Sequence, residues 1–223
     1  MTPGEQLARV LTALPPLLWA ALAAYVVWLL RGSIAAALGR VTSLEAFSVK
    51  LAMSGTQAMT AAIDMARKNA RWEIDVPAGA AATALERADR ERKRLQGAEI
   101  LWVDDYPSNN RNEMRMLAAF GVSITVAATS DEALAAQRMA TAQSQPFSLV
   151  LSDIDRALPV PDAGGGLAML TRLRQEGFQQ PVIFYVGRCD RGRGTPPNAF
   201  GITDRPDELL QMILDALARV RPG

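Results

Sequence analysis

Residues 100–136 read ILWVDDYPSNNRNEMRMLAAFGVSITVAATSDEALAA, and the change of hydrophobic period inside this stretch decides the fold class. Glu99–Val103 is a short apolar run that closes on Asp104 and Asp105. Asn110–Phe120 shifts to helical spacing, with Met114, Leu117 and Ala118 on one face. Val122–Ala127 returns to a strand, and Asp131–Met139 to a helix. The alternation continues downstream: strand Ser148–Ser152 ending at Asp153, helix Leu167–Gln175, strand Val182–Val186, short strand Ala199–Thr203, and closing amphipathic helix Pro206–Val220. Ser130, ahead of the acidic pair Asp131 and Glu132, is expected to cap its helix, and Gly121 and Gly177 follow helices as terminators. This alternation predicts an α/β domain, a doubly wound five-stranded parallel sheet of order 2-1-3-4-5 with a site at the carboxyl ends of its strands.

Three carboxylates fall at that edge. Asp104 and Asp105 end the first strand and Asp153 the third, and these strands are neighbours in the expected order. Like charges held together are unfavourable unless a cation neutralises them or protons are retained. Hard oxygen ligands in a half-open pocket suit Mg²⁺, which takes one or two carboxylates and keeps several waters. The plainer alternative is that Asp104 and Asp105 only cap the following helix, whose first turn carries Pro107.

The segment 100–136 resembles the first half of a bacterial response-regulator receiver domain, LVLSDI (149–154) resembles its phospho-acceptor strand, and AFGITDRP (199–206) resembles its fifth-strand segment. The likeness covers about residues 98–221 and implies a flavodoxin-like fold. It further implies that Asp153 is a phospho-acceptor served by a histidine kinase. Asp104 and Asp105 would hold Mg²⁺ with Asp153 and the backbone carbonyl of Asp155, and Arg205 would stand where the family has a lysine. Two positions depart from the family pattern. The strand-four hydroxyl position holds Val186, and the aromatic switch position holds Ile202. The resemblance is therefore to an atypical receiver. The loop Gly187–Pro197 is basic and glycine-rich where a fourth helix should begin, so disorder and anion binding by Arg188, Arg191 and Arg193 are both open readings. The glycine cluster in Ala163–Met169 reads as a flexible turn.

The N-terminal part is of another kind. Leu11 to Leu30 carries no charged side chain and reaches the roughly 20 residues that a helix needs to cross a bilayer. Pro15 and Pro16 suit its start, and Trp19, Tyr25 and Trp28 suit the interfaces. Arg31, Arg40 and Lys50 behind the span, against Arg9 before it, orient the C-terminal bulk to the cytoplasm. The expected organisation is an N-terminal tail (1–10), a transmembrane helix (11–31), a small α+β juxtamembrane module (32–77), a charged helical linker (78–97) and the receiver-like domain (98–223). Within the module, 41–53 and 72–76 alternate as strands do, and 56–69 carries Met59, Ile63 and Ala66 on one helical face. The linker is expected to be a solvated helix braced by Glu86–Arg90 and Asp89–Lys93 pairs.

Composition removes several alternatives. With 24 basic and 23 acidic residues the net charge is +1, so nothing in bulk draws the chain to nucleic acid. It has no histidine, which excludes imidazole metal sites and histidine-based triads, and one cysteine, Cys189, which excludes an internal disulfide. The expected function is a membrane-tethered signalling or adaptor module of the bacterial inner membrane. It would be held in lipid by 11–31 and act through an unknown protein partner and self-association. Two alternatives remain: a Mg²⁺-dependent enzyme such as a phosphohydrolase, with Asp153 as nucleophile and Arg205 as clamp, and a structural scaffold.

Overall fold

The computed structural model describes residues 54–68, 75–154 and 165–220, all within one unit, Lys50–Gly223. The expected transmembrane helix (11–31), the strand at 41–53, most of the strand at 72–76, and Asp155 lie outside the described residues. Among the described residues no helix is long and apolar enough to cross a membrane. The elements are helix α1 (54–68), α2 (Ala80–Arg90), α3 (Arg92–Leu95), β1 (Glu99–Val103), α4 (Arg111–Ala119), β2 (Ser123–Ala127), α5 (Ser130–Ala142), β3 (Leu149–Ser152), α6 (Gly165–Gln175), β4 (Val182–Tyr185), β5 (Gly201–Thr203) and α7 (Pro206–Arg219), with 3-10 turns at Pro107–Asn110 and Arg191–Arg193.

The five strands are all parallel in the order β2-β1-β3-β4-β5, as the alternation of periods requires. Their alternating side chains divide the interior into two cores. Ile100, Trp102, Leu151, Ile183 and Tyr185 face α4 and α7, while Leu101, Val103, Val150, Val182 and Phe184 face α5 and α6. Strands buried on both faces read as continuous apolar runs, which is why LVLS and VIFY show no polar alternation.

Helix α5 is capped one residue earlier than the sequence suggests. Thr129, not Ser130, is the N-cap: its Oγ1 accepts from Glu132 N at 3.2 Å, while the Glu132 carboxylate accepts from Ala128 N at 2.7 Å. Ser130 is buried inside the first turn.

The linker expectation is corrected. Residues 80–95 do not form a solvated connector but pack as α2 and α3 on the outside of α7. Ala84, Ala88 and Leu95 are completely buried. Small alanines at a four-residue spacing let the helices approach closely, a signal that the surrounding charges hide. Arg87 fastens the pair, donating to Gln211 Oε1 at 2.7 Å and Asp215 Oδ1 at 2.6 Å. The ion pairs that form are Arg87–Glu91, Arg92–Asp89 and Arg94–Glu91, instead of Glu86–Arg90 and Asp89–Lys93.

Helix α1 adds a further layer to the same side. It buries Ala58, Met59 and Ile63 in the core shared by α4 and α7, and Ala62 is also buried. Near its start a Cβ on Gly55 would lie 3.4 Å from the Phe120 ring, next to the end of α4. Near its finish Met65 and Ala66 reach residues that flank the beginning of α4. The two helices therefore run antiparallel, and α1 climbs from the amino edge of the sheet to its carboxyl edge.

On the opposite side the β4–β5 connection, 186–200, contains no α-helix. Gly187, Gly192, Gly194 and the pair Pro196–Pro197 break helical propagation, leaving one 3-10 turn that the Asp190 carboxylate caps through Gly192 N at 3.0 Å. Of the three arginines read there as a possible anion site, two are paired within the fold. Arg191 pairs with Glu208 at 3.0 Å and Arg193 with Asp190 at 3.2 Å.

Candidate functional site: an acidic pocket at the carboxyl edge

The first, third and fifth strands end on acids because each chain must leave the sheet where backbone groups need new partners. Asp104 N donates to Ala127 O at 2.9 Å and Asp153 N to Val103 O at 3.1 Å, which pins both residues at the carboxyl edge. There they line a cavity of about 270 Å³ together with Asp105, Glu113, Tyr185, Val186 and Asp204. Three residues expected from sequence to meet, Asp104, Asp105 and Asp153, are thus brought to one pocket. No Lys or Arg is among the described residues that line it.

The individual roles differ. Asp104 is buried, its Oδ1 accepting from Tyr106 N at 2.6 Å and its Oδ2 from Asn110 Nδ2 at 2.5 Å. It organises the turn into α4, so the plainer capping alternative describes part of its work. Asp153 is partly exposed, and its Oδ1 accepts from Ile154 N at 2.7 Å. Beneath it, Gly166 N donates to Ile154 O at 2.9 Å, and a Cβ on Gly166 would run into Asp153 O and sit 2.9 Å from the Phe184 ring. The glycine cluster is a close approach of α6 to the end of β3, not merely a flexible turn.

Arg205 stands elsewhere. It is nearly buried, with its guanidinium held by Asp207 and, at 3.1 Å, by Glu208 in the first turn of α7. The hydrogen bonds to Asp207 raise its pKa further, and the residue is not part of the pocket lining. The lysine-like role implied by resemblance is not what this side chain is placed to do. Val186, at the expected hydroxyl position, does line the pocket. Its N–H donates to Thr203 O at 3.0 Å, and its side chain offers no donor. Ile202 is half-buried and packs in the α5–α6 core.

Four contributors escaped sequence reasoning: Glu113, Tyr185, Asp204, and the last turn of α1 through Met65 and Ala66. Glu113 is buried on α4, where its Oε1 accepts the Tyr185 hydroxyl at 2.8 Å and its Oε2 has no hydrogen-bond partner. Loss of water pushes its carboxyl up, with a smaller push from nearby Asp104, so Glu113 retains a proton more readily than an ordinary glutamate. Burial and the same glutamate raise the Tyr185 phenol well above its usual value, which keeps it a neutral donor. Asp204 Oδ2 accepts from Cys189 N at 2.9 Å and so ties the β4–β5 loop to the rim.

The donor set suits a hydrated divalent cation in kind, since hard carboxylate oxygens from Asp104, Asp105 and Asp153 share one cavity and two of them suffice for Mg²⁺. As placed, among the described residues no group of three His, Cys, Asp or Glu side chains is gathered to hold a metal.

No protein-family model and no curated relative matches the chain. Solved structures do. A response regulator receiver domain protein from Clostridium thermocellum is 22% identical, over 55% of this chain and 95% of that one, with a TM-score of 0.44. A CheY-like receiver domain protein from Methanospirillum hungatei is 23% identical over 54% and 94%, TM-score 0.41, and the chemotaxis protein CheY4 of Vibrio cholerae is 23% identical over 56% and 98%, TM-score 0.40. These neighbours are receiver domains.

Proposed function

We propose that the protein is a membrane-tethered, receiver-like signalling or adaptor module whose output is a protein–protein interaction. The observation that carries this reading is the double wall of the acidic pocket. One side is built from strand tips bearing Asp104, Asp105 and Asp153, the other from the end of α1, which leads back to the N-terminal segment. A change in the pocket is thereby in contact with the helix that connects to the rest of the chain. The apolar span 11–31 supports anchoring in the lipid of a bacterial inner membrane with the C-terminal domain in the cytoplasm.

In this reading an Asp153 carboxylate oxygen attacks the phosphorus of a phosphohistidine on a partner kinase, or of an acyl phosphate. The P–N or P–O bond breaks, and the leaving group keeps its electron pair. Mg²⁺ held by two of the carboxylates Asp104, Asp105 and Asp153 would supply charge neutralisation. Burial raises the Glu113 pKa, so on the same pocket this carboxyl gives up its proton less readily than an ordinary glutamate. With Val186 at the hydroxyl position and Arg205 committed to Asp207 and Glu208, acceptance of a phosphoryl group is not linked to the usual rearrangement. Output through α1 and through self-association takes its place. The phosphohydrolase alternative loses its proposed clamp with the same placement of Arg205.

Incubating the full chain with acetyl phosphate and MgCl₂ tests the reading. The wild type should gain one phosphoryl group by intact mass, Asp153→Asn should gain none, and hydrogen exchange over 54–68 should change only in the wild type. A wild-type chain that stays unmodified, or one modified equally in Asp153→Asn, would overturn the acceptor role.

A further inference from the structure

A second cavity lies at the amino edge of the sheet, on the far side from the carboxylates. It occupies about 450 Å³ between the ends of α6 and α7 and the entries to β4 and β5. That volume falls within the range usual for small-molecule sites, about 300–1,000 Å³. Its chemistry is the reverse of the acidic pocket. The polar lining comes from Arg174, Arg219, Asn198 and two glutamines, and no Asp or Glu takes part.

Arg174 is prepared for an anion. Its Nη1 donates to the carbonyls of Phe178 at 2.7 Å and Gln180 at 3.0 Å, and its Nη2 to the carbonyl of Asn198 at 3.1 Å. These bonds occupy three of the five guanidinium N–H groups and fix its plane, but they bring no negative charge. Among the described residues no carboxylate comes within ion-pair distance of Arg174 or Arg219. Burial alone pulls the Arg174 pKa down, the sign of a guanidinium that has lost water without gaining a counterion. Asn198, whose carbonyl completes this clamp, holds a left-handed backbone with φ of 63°. A non-glycine residue in that region is sparsely populated and is kept by its surroundings. Opposite, Arg219 stacks over the Phe200 ring, 4.8 Å from guanidinium carbon to ring centre, beside Pro181. A guanidinium matched to a planar two-oxygen acceptor and an aromatic shelf thus border one opening.

We infer that this cavity binds a small organic anion, a carboxylate carried on a flat apolar body, with the carboxylate on Arg174 and Arg219 and the body against Phe200 and Pro181. The site shares no residue with the acidic pocket, so it stands or falls independently of the phosphoryl-acceptor reading.

The test is a titration of the isotopically labelled full chain with benzoate, followed by backbone amide shifts. Benzamide serves as the neutral isostere and acetate as the anion without a body. Benzoate should give saturable shifts confined to residues 178–180, 198–200 and 219–220, benzamide should give none, and acetate should bind at least about tenfold more weakly. Arg219→Gln, at an exposed position, should weaken benzoate by about ten- to a hundredfold, the usual loss for one charge-assisted hydrogen bond. Arg219→Glu should abolish the shifts. Equal shifts with benzoate and benzamide, no saturable shift with benzoate, or unchanged binding in Arg219→Glu would each overturn the assignment and leave Arg174 as a staple of its loop.

Discussion

The Tyr185 hydroxyl donates to Glu113 Oε1 across 2.8 Å, joining the tip of β4 to the first turn of α4 where both side chains are withdrawn from water. Trp102 packs edge-on against the same tyrosine, with ring centres 6.1 Å apart. The acidic pocket therefore rests on a buried polar contact that is itself backed by the core.

Glu113 makes stability depend on pH with a definite sign. Its folded-state pKa lies above the ordinary value, so its contribution is complete below about pH 4.5 and is lost as pH rises through the raised folded value. Glu113→Gln keeps the shape and removes the titration. Urea unfolding should show the variant gaining on the wild type as pH rises above about 4.5, and a variant that loses ground to the wild type as pH rises would refute the assignment.

Tyr185→Phe removes the side-chain donor to the buried Glu113 carboxyl group. The expected loss is about 1–3 kcal/mol, measured by denaturant unfolding at neutral pH. In the background of Glu113→Leu the same substitution should cost much less, because the orphaned acceptor is gone.

Met59 is almost wholly buried where α1 meets the α4–α7 layer. Truncation in Met59→Ala should cost about 2–5 kcal/mol and speed hydrogen exchange over 54–68 before it does so in β1 or β3. Uniform exchange across the fold, with no early loss in α1, would count against a separately yielding helix.

Ala88→Glu places a charge at the buried contact of α2 with α7. It should destabilise by about 3–5 kcal/mol, whereas a solvated linker would tolerate the change at no measurable cost. Thermal unfolding distinguishes the two outcomes.

The doubly wound sheet was legible because its signals are local and repeated: apolar runs of strand length, helices of matching phase, and acids at the strand ends. Asp104, Asp105 and Asp153 follow from that frame, since neighbouring strands deliver their tips to one edge. Glu113 and Tyr185 do not. A lone glutamate in a helix looks like any solvated charge, and a tyrosine ending an apolar strand looks like core. Only the crossing of α4 over β4 makes them partners. Arg205 misled for the opposite reason. Its place in AFGITDRP suggested the pocket, but Asp207 and Glu208, two and three residues on, offered nearer counterions. The burial of α2 rests on Ala84 and Ala88, whose side chains are too small to raise an amphipathic signal among arginines and glutamates.

The course of α1 sets a direction for the whole domain. The chain enters this helix beside Phe120, at one end of the sheet, and leaves it beside the carboxylates, at the other. Fifteen residues of helix, 54–68, separate these points by about 22 Å at the usual rise. The helix thus gives the amino edge of the sheet and the acidic mouth one shared element, so that a displacement at either end is carried along its axis to the other.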